Sequence, residues 1–218
     1  IIKIFRSPPA RRNLFSLVAF VAYHITAGGS CSGYWNCPGE CSAAANNPGA
    51  ECTGDWSCEG ECLGEYRKIH PTVTEIERGV APGPLDPPVF QTDFGTIGVQ
   101  ICYDINWHDA WKKLRQAGAE MVFWPSAFCG GQMLNALAWM NKYCVVSSTR
   151  FDPTKICDIT GEDIARSGRA RNWVCAPLNL ERAFLHGWPY WMRYNDIQAK
   201  YGRKVLIRHF PEEGWSIL

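Results

Sequence analysis

Two residues of this chain could form a nucleophilic site, a thiol and a cation. Cys102 follows the apolar, alternating stretch 95–101, and a stretch that favours a helix comes after it. Side chains at strand ends of α/β proteins lie where ligands bind. A thiolate held beside a cation attacks electrophilic carbon, and Lys68 is the candidate cation. The alternatives are a buried thiol acting as a small apolar side chain and a solvated lysine beside Arg67.

Three motifs follow one another in the second half of the chain. They are Tyr66-Arg67-Lys68-Ile69-His70, Ile101-Cys102-Tyr103-Asp104 and Phe123-Trp124-Pro125-Ser126-Ala127-Phe128. In this order and at this spacing they resemble the carbon-nitrogen hydrolase family, or nitrilase superfamily, from about Leu63 to about Gly187. The resemblance implies an α/β fold, the nitrilase-like αββα sandwich, incomplete at the N-terminus.

The resemblance also implies roles for five residues. Cys102 would be the nucleophile, and Lys68 would stabilise the tetrahedral intermediate together with the backbone N–H of Tyr103. Glu75 matches a second glutamate that positions the lysine or the substrate in many relatives. Tyr103 and Phe128 would line the substrate pocket. These roles belong to the family and are carried over by motif position.

The general base of the family is the role that no residue fills clearly. In relatives a glutamate on a strand well before the lysine, usually just after a proline, does this work. The carboxylates in that region here are Glu40, Glu51, Glu59 and Glu61. None of them ends an apolar strand, so we assign the base to none. Glu77 is an alternative match to Glu75, and either could be an exposed loop carboxylate.

Three functions remain open at this stage. The leading one is hydrolysis of a non-peptide carbon–nitrogen bond, in an amide, carbamoyl compound or nitrile, through a thioester or thioimidate on cysteine. The second is a family member that has lost catalysis and serves as a binding or assembly protein, which the missing base favours. The third is a secreted cysteine-rich binding protein.

The expected partners follow from composition and from the resemblance. The formal net charge is +1 and no basic stripe with interleaved aromatic residues occurs, so neither nucleic acid nor a membrane is expected. A small amide or nitrile substrate is expected, and relatives suggest a homo-oligomer. No metal or organic cofactor is indicated, because side chains can perform attack, protonation and hydrolysis.

Residues 31–62 form an internal repeat that differs from the rest of the chain. The pattern Cys-x5-Cys-x3-Cys begins at Cys31 and again at Cys52, and so ends at Cys41 and at Cys62. A disulfide framework or free thiols are favoured over zinc, because the C-x2-C spacing and an intervening histidine are absent. We therefore divide the chain into an atypical segment 1–62 and a hydrolase domain 63–218. Residues 188–218 would form a C-terminal arm, either facing a partner or packed on its own domain.

The compartment is read from conflicting signals. A basic start, the apolar run 14–23 and the small residues 27–30 are typical of a secretory signal at residues 3–30. A buried strand over 17–22 explains the same apolar residues. An active thiolate favours a reducing compartment, so the cytoplasm is the prediction for the hydrolase portion.

The elements that must position the motifs alternate between strands and helices. We expect Asp104 to cap or brace the helix that follows it. The predicted strands are 89–94, 96–101, 121–124, 144–149 and one around 173–176. The predicted helices are 107–117, closed by Gly118, and 132–142, and a hairpin turn is predicted at 159–163.

Overall fold

The computed structural model describes residues 2–6, 61–151, 153–168 and 174–218, with backbone alone at 2–6 and 61–62. Two compact units are present, Ile1–Pro177 and Leu178–Leu218. Most of the cysteine repeat 31–62 and most of the predicted signal segment lie outside the described residues. Within the described ranges, no helix has the length and apolar character needed to cross a bilayer.

The first unit contains eight strands and three α-helices among its described residues. The strands are β1 (Ile2–Arg6), β2 (Glu61–Tyr66), β3 (Val89–Thr92), β4 (Gly95–Val99), β5 (Met121–Ser126), β6 (Cys144–Thr149), β7 (Lys155–Cys157) and β8 (Asp163–Arg166). The helices are α1 (Val73–Glu77), α2 (His108–Gln116) and α3 (Gln132–Asn141), and Cys102–Asn106 forms a 3-10 turn.

Six of these strands make one mixed sheet in the order β3-β4-β5-β6-β7-β8. The central strands β4, β5 and β6 are parallel, with Val99 opposite Phe123 and Trp124 opposite Ser147. Strand β3 pairs antiparallel with β4, and β7 and β8 continue antiparallel beyond β6. Strands β1 and β2 form a separate antiparallel pair. The predicted α/β class is confirmed.

The two crossover helices α2 and α3 build the core on one face of this sheet. Alternate residues of the parallel strands contribute to it, which is the period of two that a strand requires. The fully buried members on α2 and α3 are Trp111, Leu114, Leu134, Leu137 and Ala138, and those on β5 and β6 are Val122, Trp124 and Val145. This layer fixes the height at which α2, and therefore the turn before it, sits above the sheet.

Gly98 allows α2 to approach β4 closely. A Cβ atom built on Gly98 would lie 2.8 Å from Cδ2 and 2.9 Å from Cδ1 of Leu114, which is fully buried. Because real Cβ contacts are longer than this, any side chain at position 98 would force the Leu114 side chain or helix α2 to shift.

The second unit is a small αβ structure. It contains β9 (Phe184–His186), α4 (Gly187–Tyr190), α5 (Tyr194–Tyr201), β10 (Arg208–Phe210) and β11 (Trp215–Ile217), with 3-10 turns at Trp191–Arg193 and Gly202–Lys204. Its sheet has the antiparallel order β10-β11-β9. An open cavity of about 290 Å³ is lined by residues of this unit, among them Trp191, Tyr194, His209 and Trp215. None of the predicted site residues lines it.

Most predicted elements of the first unit are found with ends shifted by at most two residues. The strand 144–149 is found with the predicted bounds, and Gly118, at a φ of 90°, follows α2 as the predicted stop. The predicted strand around 173–176 is wrong over its described part, because residues 174–183 have no regular structure. The division at 62/63 and the arm at 188–218 stay predictions.

Gly98→Ala tests the close approach of α2 to the sheet. We expect the free energy of unfolding to fall by about 1–3 kcal/mol, because the methyl group overpacks a closed core. Chemical denaturation measures it. Gly168→Ala is the matched control, since a Cβ there has no neighbour within 4 Å. Equal stabilities of the two variants would contradict the packing described here.

Candidate functional site

The buried carboxylate of Asp104 joins the two stretches that carry the predicted lysine and cysteine. Its Oδ2 accepts hydrogen bonds from the Tyr66 hydroxyl at 2.8 Å and from the backbone N–H of Ile101 at 3.0 Å. Its Oδ1 accepts one from the backbone N–H of His70 at 2.7 Å, and His70 Nδ1 lies 3.1 Å away. Asp104 is fully buried. The two motifs are therefore connected through one side chain.

The bracing of the following helix comes from a different atom of the same residue. The N-cap of α2 is Trp107, and no side chain caps it. The backbone carbonyl of Asp104 instead accepts a hydrogen bond from the indole N–H of Trp111 at 3.1 Å. The predicted brace is thus present through the backbone, while the carboxylate serves the segments before the helix.

Cys102 lies at the start of the 3-10 turn, in a backbone conformation that residues other than glycine rarely adopt. Its φ is 47°, and this left-handed region costs roughly 1–2 kcal/mol for a residue with a side chain. The indole N–H of Trp124, on the neighbouring strand, donates to the Cys102 carbonyl at 3.1 Å and so stabilises the turn. The residue is half-buried and its thiol is free. A strained turn that presents a partly accessible thiol suits a nucleophile.

Lys68 and Glu75 are in direct contact. Lys68 Nζ donates to Glu75 Oε2 at 2.6 Å, and the lysine side chain is only 8% exposed. The same oxygen accepts hydrogen bonds from the backbone N–H and the hydroxyl of Thr72, at 2.7 and 3.0 Å. The alternative residue, Glu77, is exposed. The lysine therefore has a fixed direction.

The pKa of Glu75 is lowered below its usual value of 4.5. Partial burial alone would raise this pKa, but the hydrogen bonds from Lys68 and Thr72 and the charge of Lys68 together outweigh it. Glu75 is consequently ionised at neutral pH and pairs with the lysine as an anion.

Gly83 fixes the backbone beside Lys68. Its N–H donates to the Lys68 carbonyl at 2.8 Å. A Cβ atom at position 83 would lie 2.3 Å from the carbonyl oxygen of Arg67, which is far inside van der Waals contact. This loop therefore needs glycine in order to lie against the lysine-bearing strand end.

Aromatic side chains surround the Cys102 turn and include both predicted pocket residues. Phe128 meets Trp124 edge to face, with ring centroids 5.2 Å apart, and is 42% exposed. Tyr103 is 40% exposed and makes a T-shaped contact with Trp107, whose ring stacks on His70 with centroids 4.1 Å apart. Exposed aromatic faces next to a half-buried thiol are suited to bind a small apolar or amide group.

The other candidate residues do not join this cluster. His108 is exposed, as predicted. Glu40, Glu51 and Glu59 lie outside the described residues, and the backbone alone of Glu61 is described. Besides Cys102, the cysteines with described side chains are Cys129, Cys144, Cys157 and Cys175. Burial raises the pKa of Cys157 to about 12, so that thiol is unreactive at neutral pH. In the described part of the chain, no group of three metal-ligating side chains is found.

Sequence reasoning missed two parts of the site that leave signals in the sequence. Tyr66, Lys68 and His70 are spaced by two residues from the end of β2, and Tyr66 and His70 contact the same carboxylate. Thr72-x-x-Glu75 is a capping box, and both of its reciprocal hydrogen bonds are present at the start of helix α1. The sequence allows an exposed loop at this place, and the structure has a helix. The positive φ at Cys102 leaves no signal in residue type.

The comparisons with known proteins agree with the motifs. The family model described as carbon-nitrogen hydrolase matches residues 54–182, which is more than half of the 218 residues. The deaminated glutathione amidase of Mus musculus is 41% identical over 76 residues, covering 30% of this chain and 23% of that protein. The one from Synechocystis sp. strain PCC 6803 / GT-S is 33% identical over 75 residues, covering 30% and 28%.

Among solved structures, an amidase from Nesterenkonia sp. is similar over 50% of this chain and 47% of that chain, with a TM-score of 0.46 and 23% identity. The matched segments span about a quarter of the length of the two curated relatives.

Glu75→Gln tests the lysine–glutamate pair through the pH dependence of stability. A carboxylate whose folded pKa is lowered stabilises the fold above its unfolded pKa, and this contribution disappears as the pH falls through the folded pKa. We expect the variant to be less stable than the parent by about 1 kcal/mol at pH 7, with the difference shrinking below pH 4.5.

Denaturant unfolding from pH 7 to pH 3 measures this difference. Glu77→Gln, on the same helix but exposed, is the matched control and should follow the parent at every pH. A Glu75→Gln curve parallel to that of the parent throughout would contradict the pairing.

Proposed function

Because the chain belongs to the carbon-nitrogen hydrolase family, we propose that it hydrolyses a small amide through a covalent intermediate on Cys102. The observation that carries the proposal is the connection of the Cys102 turn to the Lys68 segment through Asp104. Both curated relatives named above are amidases, which supports an amide over a nitrile. Carbamoyl compounds and nitriles are the next substrate classes to test.

The first step would be attack of the Cys102 thiolate on the carbonyl carbon. A carbon–sulfur bond forms, and the electron pair of the carbonyl moves onto its oxygen. The ammonium of Lys68 and the backbone N–H of Tyr103 would stabilise that negative charge. Glu75 would act through Lys68, by holding Nζ in one direction with a 2.6 Å hydrogen bond.

The following steps would release the two products. The oxyanion collapses, the carbon–nitrogen bond breaks, and the nitrogen leaves as ammonia with the proton that the thiol lost. Water then adds to the thioester, and its collapse releases the carboxylic acid and restores the thiolate. Tyr103 and Phe128 would form walls of the pocket that holds the acyl group. No residue is assigned as the base that carries these protons.

A binding or assembly protein without turnover is the second candidate function. It is favoured by the absence, among the described side chains, of a carboxylate other than Glu75 hydrogen-bonded to Lys68. In that case the aromatic pocket would still bind an amide, and Cys102 would stay unmodified. The two candidates differ in whether ammonia is produced.

The cellular setting is part of the same proposal. A thiolate nucleophile works in a reducing compartment, so we place the hydrolase domain 63–218 in the cytoplasm. Assembly into a homo-oligomer through residues 188–218 is proposed from the resemblance alone. Sedimentation of the purified chain measures its oligomeric state and so tests the proposed assembly.

Ammonia release from a panel of small amides, carbamoyl compounds and nitriles tests the proposed activity. We expect Cys102→Ser to lower kcat by at least about 1000-fold, since it removes the nucleophile. Lys68→Ala should lower kcat by about 100-fold or more, since it removes an oxyanion partner. Cys175→Ser, which removes an exposed thiol, is the matched control and should keep the parental rate.

The assay is run under reducing conditions, with circular dichroism as the check that each variant is folded. Undiminished turnover in Cys102→Ser would contradict the proposed mechanism. A folded parent that releases no ammonia from any compound would favour the binding protein.

A further inference from the structure

We propose that Asp104 is the positioning residue of this site, and that its negative charge holds Lys68 within reach of Cys102. The inference rests on the proposed function, in which Lys68 must lie close to Cys102 in order to act on the reacting group. It concerns a residue that touches neither the substrate nor the reacting atoms, so its role is exerted through the lysine and the cysteine.

The hydrogen bonds place Asp104 at the junction of two chain segments. Tyr66 and His70, which Asp104 binds, lie two residues before and two residues after Lys68. Ile101, which it also binds, comes directly before Cys102. A shift of the lysine segment relative to the cysteine turn must therefore break a hydrogen bond to this carboxylate.

The surroundings of Asp104 require a carboxylate and not merely a polar side chain of its shape. Each of its oxygens faces two groups, Oδ2 the Tyr66 hydroxyl and the Ile101 N–H, and Oδ1 the N–H and Nδ1 of His70. An ionised carboxylate accepts at both oxygens and donates from neither. The amide of asparagine would turn its NH2 group towards the backbone N–H of either Ile101 or His70, and a backbone N–H can only donate. Since Asp104 has no solvent exposure, water cannot relieve that conflict.

The Tyr66 hydroxyl keeps its donor role over the whole working range. Burial, followed by the charge of Asp104 and the hydrogen bond to it, raises the pKa of Tyr66 far above its usual value. The phenol is thus always protonated and always donates to Asp104. Removing this one donor leaves the other three contacts of Asp104 in place, so Tyr66→Phe is a mild version of the same perturbation.

The reactivity of the Cys102 thiol reports the lysine–cysteine geometry without requiring turnover. The full-length chain is treated with iodoacetamide at pH 7.5, and carboxamidomethylation is followed peptide by peptide with mass spectrometry. The rate at Cys102 is divided by the rate at Cys175, which is exposed and serves as an internal reference. A nearby cation promotes the thiolate, so Lys68→Ala should lower this ratio by about tenfold.

The positioning role predicts a specific pattern among the variants. Asp104→Asn should lower the ratio by about tenfold as well, and adding it to Lys68→Ala should cause little further loss, because both changes remove the same effect. Tyr66→Phe should lower the ratio by about two- to fivefold. Tyr143→Phe is the matched control, since Tyr143 is also fully buried and donates to a backbone carbonyl, that of Trp111, at 3.2 Å. It should leave the ratio unchanged.

Two results would overturn the proposal, and they differ in what else they affect. If Lys68→Ala lowers the ratio while Tyr66→Phe and folded Asp104→Asn keep the parental value, the positioning role fails and the lysine–cysteine pair stands. If Lys68→Ala itself keeps the parental ratio, the proposed role of the lysine fails and the positioning role fails with it. Should Asp104→Asn not fold, the comparison of Tyr66→Phe with Tyr143→Phe decides alone.

Discussion

The interaction on which the rest of the site depends is a buried negative charge that is fully hydrogen-bonded. Burying a carboxylate is costly unless its oxygens are satisfied, and Asp104 is satisfied only when two distant chain segments come together around it. Any other arrangement of these segments would leave the buried carboxylate without its hydrogen-bond donors, and this cost makes the observed arrangement specific. Satisfying this one aspartate thus contributes to the positions of both the lysine and the cysteine segments.

The sheet supplies the second constraint. Parallel strands β4 and β5 end side by side, so the turn at Cys102 lies next to Trp124, whose indole N–H holds the strained cysteine carbonyl. Strand β4 can support the turn at that height because Gly98 leaves room for Leu114 of α2. Phe128 comes two residues after the end of β5, so its position is also set by this strand. Packing of the core and exposure of the thiol are in this way set by the same elements.

The parts of the structure that the sequence predicts are those governed by local periodicity and by motif order. Strand β6 and helices α2 and α3 follow from apolar periodicity, and motif order indicates Glu75 and Glu77 as candidate partners of Lys68 or of the substrate, of which Glu75 contacts the lysine. The network around Asp104 was not predicted, because its partners His70 and Tyr66 lie 34 and 38 positions away in the chain. No local pattern encodes such a separation. The strand expected around 173–176 is not found over residues 174–176, since a short apolar stretch does not by itself determine a secondary structure.

The most direct test of the account is to look for the covalent intermediate. The chain is mixed with the best amide of the panel, quenched in acid after increasing times, and its peptides are mapped by mass spectrometry. We expect an acyl group on the peptide that contains Cys102. This acyl group should be absent in Cys102→Ser and should form slowly in Lys68→Ala. Ammonia release from a chain whose Cys102 peptide never carries the acyl group would contradict the account.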